Sequence, residues 1–207
     1  IWPAVTRGKT LPVLLPVEER PTYPMRHLIT GFDGLRRSTG RSALVVSAVL
    51  VTLWFFSSLF MRQYTGFTFN LENPQELNIL FIVARTAGIF LLWCLAATGV
   101  SSMLDGEGGL RRIAVVSAYA LVPMVMAQWT YVRLSNVAIY DEGALLKALL
   151  LIGYLWSGWL LFYGVKEAHQ FSVSRTLLAI LMTVLGMLFC GLILVLVYGL
   201  LQQLVAF

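Results

Sequence analysis

Charge is scarce in this 207-residue chain, and almost all of it lies outside the long apolar stretches. Only 12% of the residues are charged and 58% are hydrophobic, whereas about 25% are charged in an ordinary soluble domain. The mean hydropathy is +0.80. This composition excludes a water-soluble globular domain. The net charge of +5 has to be assigned to the two sides of a membrane, and it does not predict a nucleic-acid partner.

The apolar stretches also lack the side chains of catalysis and ion transport. They contain no Asp, Glu or His, which argues against a proton relay or a carboxylate ion site. The two cysteines, Cys94 and Cys190, predict neither a disulfide framework nor a metal site. His27 and His169 lie beside the stretches without a ligand cluster, and Ser101 has no histidine in a span to serve as its base. The sequence therefore predicts a protein that is not an enzyme and that has no catalytic, cofactor-binding or metal-binding residues.

What the chain does have is five apolar stretches, each long enough to cross a bilayer. A hydrocarbon core of about 30 Å needs roughly 20 apolar residues in a helix, and helices satisfy their own backbone hydrogen bonds in lipid. The sequence predicts an all-α, polytopic membrane protein with a bundle of five transmembrane helices. The predicted spans are 42–61, 77–104, 113–132, 144–165 and 176–205.

The first 41 residues form two different segments. Residues 1–24 hold five of the seven prolines, which predicts an extended, proline-rich arm, either a flexible lead-in or an arm lying along a partner protein. Residues 25–41 place apolar side chains at helical spacing among arginines. This pattern indicates a short amphipathic helix in the membrane interface, and a simple turn before the first span is the alternative.

Basic residues are distributed unequally between the loops. Within reach of the spans, the amino-terminal segment and the second and fourth loops hold eight of them, whereas the first and third loops hold only Arg62 and Arg133. The positive-inside rule then places the N-terminus in the cytoplasm and the C-terminus on the extracytoplasmic side. Lys147, near the outer start of the fourth span, can extend to the headgroups.

Two residues inside the predicted spans are unusual. Arg85 is an intramembrane charge, which is expected either to pair with outer-loop carboxylates or lipid headgroups, or to line a transport pathway. Its possible outer-loop partners are Glu72, Glu76, Asp141 and Glu142. Pro123 lies in the middle of the third span and predicts a helix kink that leaves the Tyr119 carbonyl without its usual donor.

The turn Asp105-Gly-Glu-Gly-Gly-Leu-Arg-Arg112 and the following Ser117-Ala-Tyr-Ala-Leu-Val-Pro123 resemble the YIP (Ypt/Rab-interacting protein) family of five-span membrane proteins. The resemblance extends over roughly Met25–Leu204. It implies a non-enzymatic adaptor, and the chain looks most similar to a bacterial branch associated with ABC-transporter permeases, some of them for carbohydrate import. The residues expected to form the partner interface are Arg26, Phe32, Arg36, Arg37, Asp105, Glu107, Arg111 and Arg112.

Two functions follow as competing hypotheses. The first is an accessory or scaffold subunit in the bacterial cell membrane, in contact with lipids and bound in a hetero-oligomeric complex to the permease subunits of an ABC-type importer. The second is a small autonomous transporter or channel with Arg85 in its pathway. The lack of intramembrane carboxylates and of a detectable inverted repeat favours the first hypothesis.

Overall fold

The computed structural model describes residues 41–70 and 78–205, and the described residues form helices and turns without a strand. The predicted arm and nearly all of the predicted interfacial segment lie outside this part of the chain. The helices are α1 (Arg41–Tyr64), α2 (Ile79–Met103), α3 (Leu110–Ala120), α4 (Val122–Ser135), a 3-10 turn (Tyr140–Glu142), α5 (Gly143–His169) and α6 (Val173–Val205).

Among the described residues, five helical segments are long and apolar enough to cross a membrane, as the sequence predicts. They are α1, α2, the pair α3–α4, α5 and α6, and they are called the first to fifth spans below. Several helices extend a few residues beyond the apolar stretches because polar residues lengthen a helix outside the hydrocarbon without any cost of burial. The protein is an all-α integral membrane protein.

The third span is interrupted at Leu121, where α3 ends and α4 begins. Pro123 is the second residue of α4, and it has no N–H with which to continue the helical ladder. The next amide, Met124 N–H, donates instead to the Ser157 hydroxyl of α5 at 3.0 Å. A neighbouring span therefore satisfies a backbone group that the interruption leaves without a helical partner.

The third span is the centre of the bundle. It contacts the first, second and fourth spans, whereas the fifth span packs mainly against α2. In the most apolar part of the third span 61% of the residues are buried, whereas in the corresponding part of the fifth span only 6% are buried. The largest core cluster joins α1, α3 and α5, and it includes Leu50, Val116, Tyr119 and Leu160.

Small residues allow the central spans to approach closely, as expected where lipid removes the hydrophobic drive between helices. A Cβ atom added to Gly153 of α5 would lie only 2.2 Å from the Cβ of Ala127 in α4. Gly153 and Ser157, two small residues four positions apart, both face α4. The first two spans have small residues at the same spacing that are also buried, Ala43 with Ser47 and Ala97 with Ser101. The corresponding pair of the fifth span, Gly186 and Cys190, is not buried.

The bundle has two ends, which are named here by their turns. The glycine-turn end carries residues 104–110 and 169–173, and the distal end carries residues 64–70 and 136–143. At the distal end Gly66 N–H donates to the Ser135 hydroxyl at 3.0 Å, and the Asn136 amide donates to the Tyr64 carbonyl at 2.9 Å. These two hydrogen bonds hold the first loop against the end of α4.

Candidate functional sites

The glycine turn presents most of its predicted interface residues at the surface. Asp105, Glu107 and Arg111 are exposed, and Asp105 adopts a left-handed conformation with φ of 56°. Arg112 differs, because its guanidinium donates to the Ala168 carbonyl at 3.0 Å, in the last turn of α5. A cation at the C-terminal end of a helix is favoured by the exposed carbonyls there. The predicted interface residues Arg26, Phe32, Arg36 and Arg37 lie outside the described residues.

Beneath the glycine turn lies a buried histidine that ties three elements together. His169 is only 2% exposed. Its Nδ1 accepts from the Gly108 N–H at 3.1 Å, its Nε2 lies 3.1 Å from the Ser101 hydroxyl of α2, and its ring stacks on Phe171. These contacts connect the end of α2, the glycine turn and the end of α5. We call Ser101, Gly106, Gly108, His169 and Phe171 the His169 cluster.

The hydrogen bonds of the cluster define the state of the imidazole. Since Nδ1 accepts the Gly108 N–H, the proton of the neutral ring is on Nε2 and is donated to the Ser101 oxygen. The Ser101 hydroxyl in turn donates to the Ala97 carbonyl at 2.6 Å. Both ring nitrogens and the serine hydroxyl therefore have hydrogen-bond partners, and neither nitrogen is free to take the serine proton. In this arrangement the pair positions the turn and does not form an activated nucleophile.

From the sequence, Ser101 was expected to have no histidine within a span beside it, and the structure brings the ring of His169, the last residue of α5, to its hydroxyl. The two residues are 68 positions apart, and they meet because α2 and α5 both end at the glycine-turn end. The missed signal was the glycine pair around Glu107. Cβ atoms added to Gly106 or Gly108 would lie 2.6 Å from the His169 ring, so glycine is needed at both positions for the turn to cover the ring.

At the distal end the first four spans line an open cavity of about 500 Å³, and Arg85 is part of its wall. Arg62 of α1 and Lys147 of α5 line the same cavity, together with the aromatic side chains of Tyr131 and Tyr154. No Asp or Glu occurs among the described residues that line it. The cavity is therefore cationic and partly aromatic, which is suited to an anion that also has apolar surface.

Arg85 has no ion pair with a carboxylate of the described residues. Asp141 and Glu142 were expected as possible partners, yet the Glu142 carboxylate accepts from the Ile139 N–H at 3.2 Å and supports its own turn. Glu72 and Glu76 lie outside the described residues, and pairing with them stays a prediction. Arg85 lines the cavity and is an exposed residue, and no described carboxylate forms an ion pair with it.

A second, apolar cleft of about 270 Å³ adjoins the cationic cavity. The two share Trp54, Ile89 and Met124 in their walls. The cleft continues toward the middle of the bundle and reaches α6 at Met187. At the junction, the buried indole N–H of Trp54 has no hydrogen-bond partner among the described residues.

The bundle and its sites define a class of protein, a five-span α-helical membrane protein whose described residues include no group of three or more His, Cys, Asp and Glu able to hold a metal. A family model for the Yip1 domain matches residues 25–196. The chain belongs to the Yip1 domain family, as its glycine turn and third span suggest. Comparison with curated proteins and with solved structures gives no match.

Proposed function

We propose that this chain is a non-enzymatic accessory subunit that binds the transmembrane helices of a larger membrane complex. The observation that carries the proposal is the state of the fifth span. From Leu188 to Gln203 every residue of α6 is exposed except the half-buried Gly191. This part of the helix is in contact with no other described span around almost its whole circumference.

Apolar exposure is ordinary where a helix faces lipid, so the argument rests on geometry and not on hydrophobicity. The outward face of an ordinary peripheral span is exposed while its inward face packs on the bundle. The last half of α6 has no such inward face. Its small residues Gly191 and Gly199 have open space where a Cβ would lie, which allows close approach by another helix.

The permease subunits of an ABC-type importer, carbohydrate importers among them, are the partner that we propose. The support is the resemblance to the family branch described above, together with exposed charges of both signs at the glycine turn, Asp105, Glu107 and Arg111, which can contact a charged surface of a partner. Exposed Arg111 is available for such a contact, whereas Arg112 is already engaged with α5. The location that follows is the bacterial cell membrane, with the N-terminus cytoplasmic.

Site-specific photo-crosslinking in native membranes tests the proposal. A crosslinker is introduced at Leu196 of α6 and, as a matched control, at Val49 of α1, since both side chains are 59% exposed. The expected result is one prominent adduct from Leu196, identified by mass spectrometry as a transporter permease, and only lipid adducts from Val49. Lipid adducts alone from both positions, with the chain purifying by itself in mild detergent, would contradict the proposal.

An autonomous transporter with Arg85 in its pathway is the second candidate, and the cationic cavity is the observation that favours it. A continuous pathway is opposed by the apolar core of Val116, Tyr119 and Leu160, which fills the bundle between the cavity and the glycine-turn end. Uptake of organic anions by liposomes that contain only this chain, lost in Arg85→Gln, would favour the transporter. Liposomes without flux would favour the subunit.

A further inference from the structure

We propose that the cationic cavity and the apolar cleft together form a binding site for a single anionic glycerophospholipid. In this arrangement the phosphate occupies the cavity at the distal end, and one acyl chain lies in the cleft. This site is independent of the proposed role as a subunit, because its argument uses only the walls of the two spaces and the charges in them.

The first observation is the change of polarity with depth along two spans, α2 and α5, that line both spaces. On α2 the wall passes from Arg85 through Ile89 to Trp93. These eight residues correspond to about 12 Å along a helix. On α5 it passes in the same direction from Lys147 through Tyr154 to Leu161. Both helices therefore offer a cation near the headgroup level and apolar side chains nearer the middle of the membrane.

The second observation is the grouping of positive charge. Four cations lie in or beside the spans at the distal end among the described residues, and three of them, Arg62, Arg85 and Lys147, line one cavity. The fourth, Arg133, does not line it, although it is exposed as Arg85 and Lys147 are. Guanidinium and ammonium groups bind phosphate oxygens strongly when water is partly excluded. An anion bound between Arg85 and Lys147 would offset the repulsion between these two charges.

The third observation is that the two spaces are adjacent and share walls. Trp54, Ile89 and Met124 contribute to both. The lipid's glycerol esters would lie at this junction, beside these three shared residues. A soluble phosphate compound would fill only the cavity and would leave the apolar cleft unexplained. The two volumes in contact therefore favour a lipid over a small soluble anion.

Native mass spectrometry of the full chain, delipidated in detergent and titrated with defined lipids, tests the site. The probes are phosphatidylglycerol, phosphatidylcholine with the same acyl chains, and inorganic phosphate. The variants are Arg85→Gln and Lys147→Gln, with Arg133→Gln as the matched charge control. We expect one phosphatidylglycerol to be retained, with about tenfold weaker binding in each cavity variant because a charge-assisted hydrogen bond is lost. The control should bind like the wild type.

A second pair of variants tests the acyl-chain part. Gly158 lines the cleft and has open space at its Cβ position, so Gly158→Leu fills the cleft without a clash at the backbone. Gly99 of α2 has the same open space outside the cleft, and Gly99→Leu is the control. Gly158→Leu should weaken phosphatidylglycerol binding about tenfold while Gly99→Leu leaves it unchanged, since several methylene groups lose their contacts.

Three results would overturn the inference. One is equal binding of phosphatidylglycerol and phosphatidylcholine. Another is binding that is unaffected by Arg85→Gln and Lys147→Gln. The last is competition by inorganic phosphate at the same concentration, together with no effect of Gly158→Leu, which would assign the cavity to a soluble anion. Retained monodispersity and helical circular dichroism of each variant separate a lost site from a lost fold.

Discussion

At the scale of single residues, the chain depends on a few positions where no larger side chain fits. Gly108 is the clearest of these, because its amide donates to His169 and its α-carbon lies against the same ring. The His169 imidazole therefore serves to bind a backbone amide, the N–H of Gly108. A polar group buried at a helix end has to be paired, and the imidazole pairs with both the turn and Ser101.

We expect Gly108→Ala to destabilise the protein. The added Cβ would lie 2.6 Å from His169 Cε1 and 3.0 Å from the Ala168 carbonyl, and overpacking of this kind costs about 1–3 kcal/mol. Gly109→Ala, one residue further on, meets nothing within 4 Å and should change the free energy of unfolding by less than about 0.5 kcal/mol. Reversible unfolding in mixed micelles measures both variants, and equal stability would contradict the role of the cluster.

At the scale of helices, the interruption in the third span and its repair by the fourth form one unit. Pro123 removes a ladder hydrogen bond, and Ser157 accepts the amide that follows. The serine is therefore more than a small residue that permits close packing. It couples the conformation of α4 to the position of α5.

A double-mutant cycle on Pro123 and Ser157 tests this coupling. Ser157→Ala alone should cost about 1–3 kcal/mol because a buried N–H loses its acceptor. In a Pro123→Ala background the Ala120 carbonyl can accept the Met124 amide in a continuous helix, and the same change should cost less by at least about 0.5 kcal/mol. Ser102→Ala, at an exposed hydroxyl bonded within its own helix, is the control. Strictly additive changes in the free energy of unfolding would show that the two residues are not coupled.

The contact of α4 with α5 gives a second prediction at this scale. Gly153→Ala should destabilise the bundle by about 1–3 kcal/mol, because the new Cβ would lie 2.2 Å from the Cβ of Ala127. Gly158→Ala, on the same helix with open space, should be neutral or slightly stabilising. In the double variant, Ala127→Gly should recover part of the lost stability. Unfolding in mixed micelles measures all the variants. If Ala127→Gly recovers none of the stability, the clash does not lie between these two residues.

The sequence predicts the helices well and the sites poorly, and the reason is physical. Hydrophobic length is a property of one stretch of chain, so each span can be recognised by itself. The His169 cluster and the cationic cavity need residues from different spans to face one another, as His169 and Ser101 do. The rotation of each helix about its own axis decides which residues face one another. The spans are apolar on all sides, so the periodicity of the sequence does not reveal this rotation.

At the scale of the whole molecule, the orientation decides which leaflet can supply the lipid. If the glycine-turn end is cytoplasmic, as the basic residues of the even-numbered loops indicate, the cationic cavity opens toward the outer leaflet. The opposite orientation would present it to the cytoplasmic leaflet, which carries a negative surface potential in many membranes. The topology therefore controls the lipid available to Arg85 and Lys147.

Cysteine labelling determines this orientation. In a background with Cys94→Ala and Cys190→Ser, Glu107→Cys introduces a thiol at the glycine-turn end, and Val137→Cys introduces one at the distal end, where the native side chain is 84% exposed. A membrane-impermeant maleimide should label the Val137 variant in intact bacterial cells and the Glu107 variant only after permeabilisation, because positively charged loops are retained in the cytoplasm. Labelling in the reverse pattern would invert the topology and reassign the lipid site to the inner leaflet.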